Sequence, residues 1–552
     1  MKKYLPIFFV LVAALIAAAG LFTQRFIPTH DGEYHIIRFW QFYKMLSIGD
    51  IFPRWAPDLN SGYGLPLFIF HYPFPNYIGA LFHVLGFGFV DAFKLVLALG
   101  YLSAVMWCFL WIRTFRSSFI ATSSAIIFAF VPYWFVDIYV RGSVGEVWAI
   151  SFVLLTFYAI ERRWKNVISL AVTGIIVSHN ITALFSLPIL CLYVLYRNKN
   201  YIWRIVLGIL VASYFWIPAL FESKYMVGLN SVNYTDHFPD LYQLLVPSWG
   251  TGFSGRSVRF DQMSFQIGIV PMIVLVTSII VLVIGKLKDK VLMVSILLWL
   301  AIFYCMGKGA IWFWNVVPIA QFIQYPWRLL TLILLLTPWL VASISEKMPK
   351  WITVALVVSA IWASLGYIHP VSYVARADSH YLSDPNFTDG TSSLGNSLST
   401  KWSGWKHTRF VNRFEFNSSS VFYSKVVELP NYYRLLTRVE ADTVMTANIL
   451  YFPGWNVTAD KKNLPIMYES DGIIHVTIPK GTREVVVEFR QTPIRRASDV
   501  LSLIGLFCVF GSGILGGVYA HSSKQFTTSD RSQGSRSRNI HKRTHRRTSN
   551  RA

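Results

Sequence analysis

The chain reads as an α-helical polytopic membrane protein of about twelve transmembrane helices with a C-terminal extracytoplasmic β-sandwich-like domain. Three observations predict this. Hydrophobic residues fill 54% of the 552 positions and charged residues only 14%, which is too little polar surface for a soluble fold of this size. Apolar runs near the length that crosses a bilayer recur through residues 5–367 and again at 499–520. From Val421 the pattern changes to short alternating runs such as Val485-Val486-Val487-Glu488-Phe489, separated by Pro453-Gly454, Asp471-Gly472 and Lys480-Gly481, which is strand-and-turn grammar.

The predicted spans are 5–22, 92–112, 117–135, 147–160, 166–178, 181–196, 203–220, 266–285, 291–306, 328–345, 351–367 and 499–520. Lys2-Lys3 and the small residues Ala17 to Gly20 also fit a cleaved signal peptide; the length of the apolar run favours an uncleaved helix. Basic clusters at Lys2-Lys3, Arg113 to Arg116, Arg162 to Lys165, Arg197 to Arg204, Lys286 to Lys290 and Lys347 to Lys350 alternate with the spans and mark one side as cytoplasmic. Both termini then lie on the cytoplasmic side of the cytoplasmic membrane.

The resulting domains are a transmembrane domain at 1–367 with a structured first outer loop at 23–91, an extracytoplasmic β-rich domain at 368–498, a last transmembrane helix at 499–520, and a basic cytoplasmic tail at 521–552. Residues 77–90, broken by glycine, are too short to span and read as an interfacial helix. Residues 368–420, rich in Ser, Asn and Gly, read as a linker or an irregular subdomain.

Net charge is +22, and nine Lys/Arg against Asp530 alone give the tail +8 of it. Its Ser, Thr and Arg content predicts disorder, with anionic lipid of the inner leaflet as the expected partner and nucleic acid an unlikely one. Cys108, Cys191, Cys305 and Cys508 sit in apolar segments without metal-ligand spacing and read as small core residues.

Polar residues that the basic loops do not explain gather on the outer side. His30-Asp31-Gly32-Glu33-Tyr34-His35 follows the first span, and Asp31, His35 and Arg38 share one face of any helix that begins there. A carboxylate in that place accepts a proton or binds a divalent cation, with Asp31 and Glu33 as the possible ligands; the competing reading is a helix N-terminus whose acids satisfy free N–H groups. Asp137, Arg141 and Glu146 form a second candidate wall, competing with an exposed turn that holds its own ion pair. Ser178-His179-Asn180 is either polar lining, through His179, or a hairpin in which Asn180 caps the next helix. Arg328, in Gln324-Tyr325-Pro326-Trp327-Arg328, is a phosphate ligand at headgroup depth or a snorkelling belt residue. Few acids fall within the spans, which fits an enzyme at the outer surface better than an ion-coupled transporter.

The acidic motif directly after the first helix resembles the GT-C superfamily of integral-membrane glycosyltransferases. Tyr139 to Glu146, Ser178-His179-Asn180, Gln324 to Arg328 and Tyr451-Phe452-Pro453-Gly454-Trp455 are similar to bacterial YfhO-like membrane proteins and those labelled pyruvoyl-tetrahydropterin-synthase-related. The resemblance implies inverting transfer of a sugar from a polyprenyl-phosphate donor to an envelope glycan, lipid or protein acceptor. It implies Asp31 as the catalytic base. Arg328 and then Arg141 would meet the departing phosphate, and Glu33, His35, Asp137, Glu146 and His179 would bind substrate. A transporter or flippase of lipid-linked glycans and a non-catalytic envelope-assembly scaffold are the rival classes.

Overall fold

The structure is a computed structural model that describes residues 4–228, 233–252, 263–286, 288–317, 320, 322–382, 385–391, 393, 396–403, 408–419 and 421–511. The basic tail and the end of the last predicted span lie outside the described residues.

Among the described residues, helices occupy the predicted apolar segments, and their lengths differ. Phe89–Arg113, Val144–Arg162, Asn180–Val211 and Pro326–Ile344 are long and apolar enough to cross a membrane. Two bent pairs raise these four described crossings to six, and the chain is a membrane protein on this count. The first pair, Ser118–Ala129 with Pro132–Arg141, turns by 47°, where Pro132 supplies no N–H to continue the ladder. The second, Lys290–Met306 with Lys308–Val316, turns by 90° at Gly307. Leu5–Ala17, Lys165–Ser178, Ile269–Ile284 and Lys350–Ser364 are apolar but shorter than the roughly twenty residues that a perpendicular crossing needs.

The helical core is aromatic. Trp111 stacks on Phe157 at 4.6 Å and on Trp339 at 5.7 Å, so the helix Phe89–Arg113 is gripped by Val144–Arg162 on one side and Leu330–Ile344 on the other. Cys108 is buried in this core.

Among the described residues, eight strands form two antiparallel sheets. One has the order β1 (Phe414–Phe416), β4 (Thr443–Leu450), β7 (Ile473–Ile478). The other runs β2 (Val421–Leu429), β3 (Tyr432–Val439), β8 (Glu484–Phe489), β5 (Trp455–Ala459), β6 (Lys462–Leu464). Alternation buries Leu435, Val457, Val485 and Val487 from the larger sheet against Met445, Ala447, Ile474 and Val476 from the smaller one. β2 is an edge strand, mostly exposed, with a bulge between Lys425 and Val427, a device that discourages edge pairing.

This core does not stop at the sheets. Ile37, Phe42 and Met45 of the helix Gly32–Ser47, together with Trp55, Leu59, Leu65 and Leu67, belong to it. Trp55 meets Trp455 edge-on at 5.2 Å, and the Leu450 N–H donates to the Tyr63 carbonyl at 2.9 Å. The segment 23–91 is therefore folded between the helical bundle and the sheets. The segment 368–420 is irregular, with short helices at Asp378–Leu382 and Pro385–Thr388. It supplies Asp378, whose carboxylate accepts from the Phe89 and Val90 N–H groups at 2.7 and 2.9 Å. That distant side chain caps the long helix Phe89–Arg113, whose own N-cap is Gly88.

Candidate functional site

The helix Gly32–Ser47 begins at Asp31, whose side chain makes no capping bond. Backbone pairing holds this corner instead: His30 and Asp31 donate their N–H groups to the carbonyls of Val140 and Arg141, each at 2.9 Å. The reading in which Asp31 caps its own helix is thereby overturned. Among the described residues no hydrogen bond or ion pair is formed by the Asp31 carboxylate, and it lies in the field of Arg38 and Tyr72.

Two turns of helix bring His35 and Arg38 to the same face. The Arg38 guanidinium donates to His71 Nε2 at 2.9 Å, and the Asn76 amide lies 3.2 Å from Nδ1 of the same ring. Arginine only donates, and the Asn76 amide nitrogen is a donor as well, so a neutral His71 ring accepts from one of the two and not from both. The His35 and His71 rings lie 5.8 Å apart. Burial, followed by the Arg38 charge, holds both imidazoles well below their ordinary pKa, so both are neutral at pH 7.

The second wall is a single turn of π-helix, Val136–Arg141, a geometry that recurs at functional sites. It ends at Gly142 with φ of 67°, where a side chain would be strained and would run into Thr29. The turn is not an exposed one: Asp137 and Glu146 are both 0% exposed and Arg141 is 5% exposed. Arg141 bridges the two acids, reaching Glu146 at 2.7 Å and also pairing with Asp137. Glu146 accepts from Tyr133 at 2.9 Å and from Thr331 as well. Trp327 lies against the Arg141 guanidinium at 5.0 Å.

His179, rather than Asn180, is the N-cap of the helix Asn180–Asn198. Its Nδ1 accepts from the Thr182 N–H at 3.3 Å, which corrects the expected role of Asn180. Gly145 lets the walls close: a Cβ there would sit 2.5 Å from the Tyr72 ring and 2.6 Å from the Ser178 carbonyl. Tyr72 in turn meets the His179 ring at 5.4 Å.

Arg328 enters on a short 3-10 turn and donates to the Ile323 carbonyl at 3.0 Å and the Gln324 side chain at 2.9 Å. Tyr325 lies 4.7 Å beneath it. Among the described residues Arg328 has no carboxylate in an ion pair, and its Nε is buried without a partner.

The structure thus gathers Asp31, His35, Asp137, Arg141, Glu146, His179 and Arg328 around one centre. Glu33 is turned away and pairs with Arg376, and His30 contacts the Thr251 carbonyl at 2.7 Å. Asp31 and Glu33 therefore do not converge on a cation, and among the described residues no three His, Cys, Asp or Glu side chains form a metal-holding group. The residues do not fit the divalent cation considered from the sequence.

Sequence reasoning missed Tyr72, Tyr133 and Thr331. The Tyr72 phenol lies in the combined field of Arg38, Asp31, Arg141 and Arg328, and burial pushes its pKa up, so it remains a protonated donor. Its position in His71-Tyr72-Pro73 was the available signal.

No family model matches the chain. An uncharacterised protein of Lactococcus lactis subsp. cremoris is 22% identical over 255 residues, covering 42% of this chain and 41% of that one. Among solved structures, the arabinofuranosyltransferase AftD from Mycobacteria aligns with a TM-score of 0.43 and 16% identity, over 68% of this chain and 27% of its own. The oligosaccharyltransferase of Archaeoglobus fulgidus aligns with a TM-score of 0.39 and 11% identity, over 67% of this chain and 55% of its own. The chain spans well under two thirds of each of these proteins. Both solved structures are named for glycosyl transfer.

Proposed function

We propose that this protein is a GT-C-type membrane glycosyltransferase that moves a sugar from a polyprenyl-phosphate donor to an envelope glycan, lipid or protein acceptor on the outer face of the cytoplasmic membrane. The full twelve crossings, cytoplasmic termini and an extracytoplasmic β-region belong to the same proposal. One observation carries it: of the three carboxylates at the centre, Asp137 and Glu146 are fully buried and paired with Arg141, whereas Asp31 is partly exposed and forms no hydrogen bond or ion pair among the described residues.

The assignment follows from that difference. Glu146 is occupied by three side-chain donors, Arg141, Tyr133 and Thr331, and Asp137 is 0% exposed and paired with Arg141, out of reach of an acceptor hydroxyl. Asp31 is half-buried and accepts the acceptor hydroxyl proton as that oxygen attacks the anomeric carbon from the face opposite the phosphate. The bond from the anomeric carbon to the phosphate oxygen breaks with inversion, and the electron pair leaves with the polyprenyl phosphate. Arg328, which has no carboxylate partner among the described residues, and the Tyr72 hydroxyl stabilise that charge. Arg141, already neutralised by two acids, acts as a strut, and His35 and His179 bind substrate as neutral rings.

The test is release of free polyprenyl phosphate by purified full-length protein given polyprenyl-phosphate sugars and envelope acceptors. Asp31→Asn is expected to lower turnover on the order of a hundredfold or more while donor binding is retained. Equal turnover in wild type and variant would remove Asp31 from the chemistry. Acceptor-independent movement of intact donor across vesicles would favour the flippase class instead.

A further inference from the structure

The three helices that build the centre also run away from it together. Val144–Arg162 starts beside Glu146, Lys165–Ser178 returns to His179, and Asn180–Asn198 departs again. At 1.5 Å per residue, Arg163 lies about 26 Å from Glu146 along the first helix. This is close to the roughly 30 Å of a bilayer's hydrocarbon core, so the far ends reach the opposite headgroup layer.

At those far ends lies a cleft of about 330 Å³. Its walls carry Arg163, Lys165 and Arg204, with Asn198, Asn200 and the Trp203 ring, and no carboxylate lines it. Glu161, the acid at that end of the bundle, is already held by Arg197, whose Nε donates to it at 2.5 Å, and by Tyr193. Arg204 is only 5% exposed although it borders the cleft, and its Nη1 lies 3.4 Å from Asn166 Oδ1. A buried guanidinium differs from the solvated lysines of an ordinary basic loop, because its planar fork of donors is held in place and matches the oxygens of a phosphate. Trp203 and Trp164 are 45% and 42% exposed beside it, as rings at headgroup level are.

We propose that this cleft binds a phosphate group at headgroup depth, on the face of the bundle opposite Asp31. Three cations satisfy the phosphate charge, and the asparagine amides donate to its remaining oxygens. An anionic phospholipid headgroup and free inorganic phosphate offer this same chemistry. The depth of the cleft and its aromatic rim favour the lipid, and the site is independent of the sugar-transfer reading.

Full-length protein would be placed in phosphatidylcholine nanodiscs with and without phosphatidylglycerol, and lipid retention counted by native mass spectrometry. A parallel arm adds inorganic phosphate to phosphatidylcholine discs and follows thermal stabilisation. Arg163→Gln and Lys165→Gln change exposed residues, and Arg204→Gln changes the buried one. Lys286→Gln with Lys288→Gln removes two charges from an exposed loop outside the cleft, as Arg163→Gln combined with Lys165→Gln does within it. Retention of phosphatidylglycerol that weakens about fivefold for each cleft charge removed, with the loop control unchanged, supports a lipid site. Stabilisation by inorganic phosphate that is lost in the same cleft variants supports a free-phosphate site. Equal losses in cleft and loop variants, or no selectivity for either phosphate source, would overturn the proposal.

Discussion

At the scale of single residues, the centre is organised by who is already satisfied. Three carboxylates face three guanidinium groups, yet Arg141 takes two of the acids for itself, leaving Asp31 and Arg328 outside any ion pair among the described residues, as the acid and the cation of the proposed transfer. The neutral histidines beside them have a measurable consequence. His35 and His71 are held well below the value near 6.5 that an exposed imidazole has in the unfolded chain. Below that pH the unfolded state binds more protons than the folded one, so the stability these groups contribute is present above about 6.5 and falls as pH drops. The melting temperature of wild type is expected to decline between pH 7 and 5, and His35→Gln should flatten that decline; an unchanged slope would contradict the buried neutral state. The helical spacing of Asp31, His35 and Arg38 was legible in the sequence because a local period fixes it. Tyr72, Tyr133 and Thr331 were not, since a lone tyrosine or threonine near a span looks like belt or core until its distant partner is known.

At the scale of elements, the site depends on one close helix approach. The N-terminus of Val144–Arg162 can touch Tyr72 and the end of Lys165–Ser178 only because position 145 carries no Cβ. Gly145→Ala therefore overpacks the junction, at a cost of about 1–3 kcal/mol, and is expected to lower both thermal stability and turnover, read by denaturation and product release on the same sample. The strands were legible from alternation and from Pro-Gly and Asp-Gly turns, whereas β1, three residues long, has too short a pattern to announce itself. Bends escaped the sequence for a different reason: 117–135 reads as one apolar run, and the turn at Pro132 with the π-helical turn after it emerges from packing rather than hydropathy.

At the scale of the whole molecule, one helix serves two cores. Gly32–Ser47 offers His35 and Arg38 to the polar centre and Ile37, Phe42 and Met45 to the core shared with the sheets. No local pattern reveals that union, because its contacts join residues near position 50 to residues beyond 430. Trp55→Ala should remove the ring against Trp455 and Phe489, costing about 3–5 kcal/mol. If the union is as tight as its burial indicates, limited proteolysis should then cut residues 368–420 faster than in wild type. A chain truncated before the sheets would leave Trp55, Leu59, Leu65 and Leu67 bare and lose the packing that orients Asp31. Inactivity in such a truncate would report a missing foundation and not a missing substrate contact, so dissection of this protein has to proceed by surface substitution instead of by deletion.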